Sequence, residues 1–259
     1  MGLIGSLDIA AHYVGSQSVS KVYRGSNLIF GAFSPTSISG LQLWLDASDS
    51  DTITLNGSTV SQWDDKSGNS YNCVQGTASN QPTYVTAAQN GKNVVRLDGS
   101  NDFLQNSTNT IVGGSNTRTV FVACKNTDSS GINYPFGLGT RASTNAGQIF
   151  LISSEIGTRV SFGNIIWSTS LYSSAGIITI QTNGTNVNQL LGWLNGSALS
   201  VSSTNGATLN TQVGYMIGDS IQSSTWNGDV MEVLVYDSNL STANRESVES
   251  YLSAKWGIS

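Results

Sequence analysis

Four glutamates, one histidine and two cysteines are what this chain has for building a catalytic centre. Glycoside hydrolysis needs two carboxylates about 5 to 9 Å apart across one sugar ring. A strand supplies such a pair at i and i+2, where side chains share a face. Glu155 in "SSEIGT" and Glu232 in "VMEVLVY" have no acid at i±2, and Glu246 and Glu249 fall together near the C-terminal end. A Ser-His-Asp site would have to draw its base from His12, far from the rest of the chain's polar clusters. One His and two Cys fall short of a usual zinc site, and no Gly-rich loop has phosphate-binding spacing. No enzyme is expected.

Hard oxygen ligands are more plentiful. They cluster in "DASDSD" (Asp46, Asp49, Asp51), "WDDKSGN" (Asp64, Asp65, Asn69) and "DGSNDF" (Asp98, Asn101, Asp102). Calcium takes six to eight such oxygens. Asp, Asn, Ser and Gly are also the residues that make turns, and none of the three stretches has the 12-residue loop spacing of a helix-loop-helix calcium site. Turns are the preferred reading. No cofactor is required, and if calcium binds, the expected ligands are Asp98, Asn101 and Asp102. Sugar binding would use exposed aromatic rings with amide and hydroxyl partners. The candidates are Tyr134 and Phe136 in "SSGINYPFG", and Trp167 and Tyr172 in "IIWSTSLYSS". Aromatics in β-rich chains more often pack in the core.

The elements that must position these residues read as β-structure. Asn-Gly occurs six times, at 56–57, 90–91, 183–184, 195–196, 205–206 and 227–228. Both residues tolerate the positive φ of a type I′ turn, so each pair predicts a hairpin. Between them lie apolar or alternating runs such as "LQLWLDA", "NVVRLDG", "RTVFVAC", "GIITIQT" and "DVMEVLVYD". Many short strands at regular turn spacing predict a two-sheet antiparallel sandwich. One helix is predicted in "LSTANRESVESYLSAKWG". Ser241 is its N-cap, Gly257 its stop, and Val248, Tyr251, Leu252 and Trp256 form one apolar stripe. It is expected to pack on the sandwich rather than carry chemistry.

The first 33 residues are different. "YVGSQSV" and "YRGSNLI" repeat Tyr-x-Gly-Ser at a ten-residue interval, with Tyr13, Tyr23, Leu28, Ile29 and Phe30 as β-formers around the Gly-Ser pairs. Short strands joined by tight turns are only marginally stable alone. Residues 1–33 therefore read as an assembly or attachment segment, residues 34–40 as a Pro/Ser/Gly linker, and residues 41–259 as the main domain.

Charged residues are 10% of the chain, and hydrophobic residues are 38% with six Trp. That is enough apolar matter for a core, under a neutral hydroxyl- and amide-rich surface. The net charge of −5 and the lack of a basic run exclude counterion-driven nucleic-acid binding and a cationic membrane-surface helix. No apolar stretch reaches 18 residues, so no membrane insertion by a helix is expected. "MGLIGS" fits an acylation pattern without a second anchor and reads as a chance match. Cys73 and Cys124 are too few for a disulfide scaffold, and sequence does not test whether they pair. The start lacks a secretory signal although the surface suits an extracellular setting. A virion protein, made in the host cytoplasm and released by lysis, reconciles the two, as would a protein using another export route.

Three blocks carry a family resemblance: "LQLWLDASDSDTI…VSQWDDKSGN", "VVRLDGSNDFL" and "WNGDVMEVLVYDSNLSTANRESVESYLSAKWG". Together they resemble the concanavalin A-like lectin/glucanase superfamily, in its laminin-G-like and pentraxin-like branch. The resemblance implies a two-sheet jelly roll, often glycan-binding and sometimes calcium-binding. It places Trp44, Trp63, Trp226 and Trp256 inside the shared blocks as packing residues. Glucanase members carry Glu-x-Asp-x-x-Glu on one strand, and that motif is absent here. The opening repeat resembles amino-terminal segments of tailed-phage virion proteins. The expectation is a bacteriophage virion structural protein, of the tail, a fibre or the capsid decoration, that displays a lectin-like domain to host-surface glycans. Residues 1–33 would bind other virion proteins, and a homotrimer would suit a fibre. The alternatives are a free carbohydrate-binding module and a glycan hydrolase.

Overall fold

The computed structural model describes residues 12–14, 17–19, 21–24, 27–31, 33–112, 117–128, 133–139, 147–152, 155–160, 163–167, 169, 171, 173–182, 186–206, 213–218 and 226–259. In chain order the strands are β1 (His12–Val14), β2 (Gln17–Val19), β3 (Lys21–Arg24), β4 (Asn27–Gly31), β5 (Leu41–Asp46), β6 (Ile53–Asn56), β7 (Thr59–Trp63) and β8 (Cys73–Val74). Then come β9 (Thr83–Gln89), β10 (Lys92–Asp98), β11 (Leu104–Asn106), β12 (Thr119–Asn126), β13 (Asn133–Leu138), β14 (Gly147–Ile152) and β15 (Glu155–Val160). The last are β16 (Gly163–Trp167), β17 (Ala175–Thr182), β18 (Leu190–Leu194), β19 (Ser197–Ala198), β20 (Val201–Asn205), β21 (Tyr215–Ile217) and β22 (Asn227–Tyr236), followed by helix α1 (Thr242–Trp256).

The chain parts into two compact units, 1–37 and 38–259. In the first, β1 pairs antiparallel with β2 and β3 with β4. Val14 faces Gln17 and Arg24 faces Asn27, so each Tyr-x-Gly-Ser copy straddles a hairpin. Tyr13 lies in β1, Tyr23 in β3, and Leu28, Ile29 and Phe30 in β4. The second unit begins inside the stretch expected as a linker. Ile38 is buried, and the Gly40 carbonyl accepts a hydrogen bond from Asp237 N at 2.9 Å. Gly40 has φ +87°, and an added Cβ there would collide with the Asp237 carboxylate. The last residues of the linker therefore belong to the sandwich.

The larger unit is an all-β antiparallel jelly-roll-like sandwich with α1 on one face. In its first sheet, β22 is the spine. One edge of β22 pairs with β12, and the other pairs with β10 along Asn227–Val230 and with β5 along Glu232–Tyr236. The order continues from β12 to β17, β18 and β19. The second sheet runs β8, β11, β21, β13, β14, β15, β16, β20. Between the two, β7 pairs with both β8 and β9. The sheets press together closely. A Cβ on Gly192 of β18 would come within 2.8 Å of the Trp167 ring of β16, so only glycine fits that approach.

Residues along β22 and β17 are buried almost without alternation. The opposite sheet covers one face and α1 the other, which is why these runs read as continuously apolar. In α1, Ser241 Oγ accepts from Asn244 N, and Gly257 closes the helix in the left-handed region at φ +63°. Val248, Leu252 and Trp256 are buried. The Asn-Gly pairs at 90–91 and 195–196 adopt positive φ at both residues, as a type I′ hairpin requires. The pair at 183–184 lies outside the described residues. The pair at 227–228 is not a hairpin: it opens β22, and Gly228 is needed because the Lys125 carbonyl occupies the space of a Cβ.

Candidate functional site

Three of the four aromatic residues predicted to stack on sugars are core residues. Tyr134 is 0% exposed, Phe136 1% and Trp167 1%. All six positions of β13 are buried, and Phe136 packs on Tyr215 with ring centroids 6.1 Å apart. Trp167 fills the gap left by Gly192. The expectation of exposed rings fails here because "NYPFGL" is a strand buried on both faces. Tyr172 lies outside the described residues. Trp63, Trp226 and Trp256 are buried as packing residues, and Cys73 and Cys124 are buried free thiols that do not pair.

The three oxygen-rich clusters are arranged as turns and ion pairs. Asp98 Oδ1 accepts from Ser100 N at 2.8 Å and Asn101 N at 3.3 Å, while Asp98 N donates to Asp102 Oδ2 at 3.1 Å. Asn101 Nδ2 donates to the Ser79 carbonyl at 2.9 Å. Burial, together with the neighbouring Asp98 charge, lifts the Asp102 carboxyl to about 6. Asp98 and Asp102 thus each spend one carboxylate oxygen on backbone amides of the turn. Among the described residues, no group of three His, Cys, Asp or Glu side chains converges. In the second cluster Asp65 organises its loop: Oδ1 accepts from Trp44 N and Ser67 N, both at 2.9 Å, and Oδ2 from Tyr71 N at 3.1 Å.

The first cluster leads to a feature that residue spacing did not reveal. Asp46 Oδ2 pairs with Lys66 Nζ at 2.9 Å, and Asp46 Oδ1 pairs with Lys255 Nζ at 2.6 Å. Lys66 also pairs with Asp49 at 2.6 Å and lies 4.4 Å above the Trp44 ring. Lys255 reaches on to Glu232 Oε2 at 2.7 Å. Glu232 is 0% exposed. Its carboxylate also accepts from Trp44 Nε1 at 2.7 Å, Trp256 Nε1 at 2.7 Å and Tyr251 Oη at 2.8 Å. Burial raises the Glu232 carboxyl against the pull of Lys255. For Asp46, burial also pushes upward, but Lys255, Ser48 and Lys66 outweigh it and hold the group below the usual carboxylate range. The network joins β5, β22, the loop after β7 and α1. The signal was visible in retrospect: an acid in the middle of "VMEVLVY" has to be paired when both faces of its strand are covered.

Two clefts adjoin where α1 ends against the β18–β19 turn. One, of about 210 Å³, is lined by Ile177, Asn195, Gly196, Glu246, Glu249, Ser250, Ser253 and Ser259. The other, of about 440 Å³, is lined by Gln89, Leu171, Ser174, Ala175, Leu194, Asn195, Gly257, Ile258 and Ser259. Their walls are tied together by side-chain amides. Asn195 Oδ1 accepts from Ile177 N at 2.9 Å, and its Nδ2 donates to the Ser259 carbonyl at 3.0 Å. Gln89 Nε2 and Asn90 Nδ2 donate to the Trp256 and Lys255 carbonyls, satisfying the helix end.

No protein-family profile matches the sequence, and no curated protein matches it. Solved structures do match. A Trypanosoma rangeli sialidase, in complex with a difluorinated keto-deoxy-nononic acid, has a TM-score of 0.58 and 14% identity over 96% of this chain and 37% of its own. This chain thus spans about a third of that protein's length. Domain 4 of AbnA, a GH43 extracellular arabinanase from Geobacillus stearothermophilus in complex with arabinotriose, has a TM-score of 0.52 and 12% identity over 82% of this chain and 98% of that domain. The botulinum neurotoxin serotype D ligand-binding domain, in complex with N-acetylneuraminic acid, has a TM-score of 0.55 and 13% identity over 82% of this chain and 50% of its own. At these identities the likeness is one of fold alone, that of a jelly-roll-like β-sandwich. The comparisons give the virion expectation no support.

Proposed function

We propose that residues 38–259 are a lectin-like carbohydrate-binding module without catalytic activity. The observation that carries this reading is the fold match to AbnA domain 4, a domain of similar extent that binds arabinotriose. A surface poor in charge and rich in hydroxyls and amides suits sugar hydroxyls as partners. The absence of catalysis is supported by the state of the two interior glutamates. Glu232 is saturated by four donors, and Glu249 is held by Arg245 and by Thr179 Oγ1 at 2.8 Å. Neither is free to take up or deliver a proton to a substrate.

Residues 1–37 are read as the piece that attaches the module to a larger assembly, as a homo-oligomer or on a particle. Two separate two-stranded hairpins are below the size that is stable in water alone, which supports a need for a covering partner. The test is binding of the full chain to a panel of polysaccharides by affinity electrophoresis, with reducing-sugar release followed in parallel. Saturable retardation without sugar release is expected. Free migration on every polysaccharide overturns the module reading, and sugar release overturns the non-catalytic one.

A further inference from the structure

We infer that the double cleft between the end of α1 and the β18–β19 turn is the saccharide site, and that it takes neutral rather than acidic sugars. This rests on the lectin reading above and gives it a place and a ligand class. The larger cleft, at about 440 Å³, falls within the usual range of small-ligand sites, and the smaller one extends it through the shared Asn195 and Ser259. The wall residues offer hydroxyls and carboxamides at close spacing, with short apolar stretches between them. Such a wall matches a sugar, whose hydroxyls need donors and acceptors around an apolar ring.

Charge decides the ligand class. Among the described residues, the charged side chains lining the clefts are Glu246 and Glu249. The nearby cation, Arg245, is 7% exposed and held by Glu249, Glu246 and the face of Trp193 at 4.5 Å. A carboxylate on a ligand would have to compete with Glu249 and Glu246 for it. Glu246 is 60% exposed and accepts one long bond from Arg245, at 3.2 Å, leaving acceptor capacity for sugar hydroxyls. An acidic sugar would bring like charge to this wall without a counter-ion.

The site is also held rigid before any ligand arrives. Asn195 and Gly196 are in the left-handed region at φ +50° and +78°, and the Asn195 side chain is bonded on both sides. Gly257 caps the helix against Asn90. Little ordering entropy remains to be lost on binding, which favours binding by hydrogen bonds even though no aromatic ring lines the walls among the described residues.

The test uses the full chain on an array of neutral and acidic glycans, followed by calorimetry on the best ligand. Ser250→Trp fills the smaller cleft from an exposed helix position, and Glu246→Ala removes the free acceptor. We expect neutral glycans to bind, Ser250→Trp to weaken them by about tenfold or more, and Glu246→Ala to weaken them by roughly threefold. Amide resonances of Asn195 and Gly196 should shift on titration with the wild-type chain. Neutral-glycan binding unchanged in both variants, with unshifted amides, overturns the site while leaving the lectin reading intact. Preference for acidic glycans overturns the ligand class. Failure to bind any glycan overturns the lectin reading and this inference with it.

Discussion

Two acid-rich regions of the sandwich leave an aspartate in opposite electrostatic states. Beneath α1, Asp46 and Glu232 share Lys255, and Asp46 also has Lys66. At the turn after β10, Asp98 and Asp102 face each other with backbone amides as partners. The first region binds elements far apart in sequence, and Asp46 is depressed by its cations after overcoming burial. In the second, burial and the like charge of Asp98 lift Asp102 to about 6. Partners rather than residue type decide whether buried acids hold a fold together or strain it.

The largest effect expected in this comparison is at Glu232. Glu232→Ala takes the carboxylate from two indole N–H groups and the Tyr251 hydroxyl and leaves Lys255 with Asp46 as its ion-pair partner, and should cost about 3–5 kcal/mol in urea unfolding. A loss under about 1 kcal/mol would break the claim that the network is structural. Lys255→Met should cost somewhat less, about 3 kcal/mol at neutral pH, and should recover part of that loss on acidification, when the stranded carboxylates protonate. A loss independent of pH would show that Lys255 acts through packing alone.

The pH dependence sharpens the contrast because Asp46 and Asp102 are shifted in opposite directions. The folded-state value of Asp46 is below its ordinary 3.8, so its contribution is present above that pH and lost as pH falls through the depressed value. For Asp102 the folded value, about 6, is above the ordinary 3.8. Its contribution is greatest below the ordinary value and declines as pH rises from 3.8 to about 6. Asp102→Asn should therefore stabilise the protein by about 1 kcal/mol at pH 7 and leave it unchanged at pH 3.5. Equal effects at both pH values would remove Asp102 as the strained partner. The smallest effect is expected from chelation. EDTA should shift the melting temperature by less than about 1 °C, because the Asp98–Asp102 oxygens serve the turn. A calcium-dependent rise of several degrees would assign those residues to a metal after all.

The helix and the chemistry of two turns were legible because they depend on neighbours in sequence. Ser241, Gly257, Asn90-Gly91 and Asn195-Gly196 do locally what their types predict. What the amide side chains do is not local: Asn90 and Asn195 also hold the chain at and beyond the helix end. The stacking candidates failed for a related reason. Tyr134, Phe136 and Trp167 look alike in a loop or in a core, and only the covering of both faces of β13 and the fit of Trp167 against Gly192 assign them to the core.

Sequence by itself determined an antiparallel β-sandwich closed by one capped helix, since strand alternation, turn residues and caps act over a few residues and repeat along the chain. It also determined a low-charge surface and a separate opening repeat. Tertiary structure alone decided which acids are satisfied, which aromatics are buried, and where a cleft opens. Those outcomes depend on groups such as Lys255, which lies within 3 Å of Glu232 and of Asp46, the latter more than two hundred residues away in sequence, and no local pattern encodes such distances.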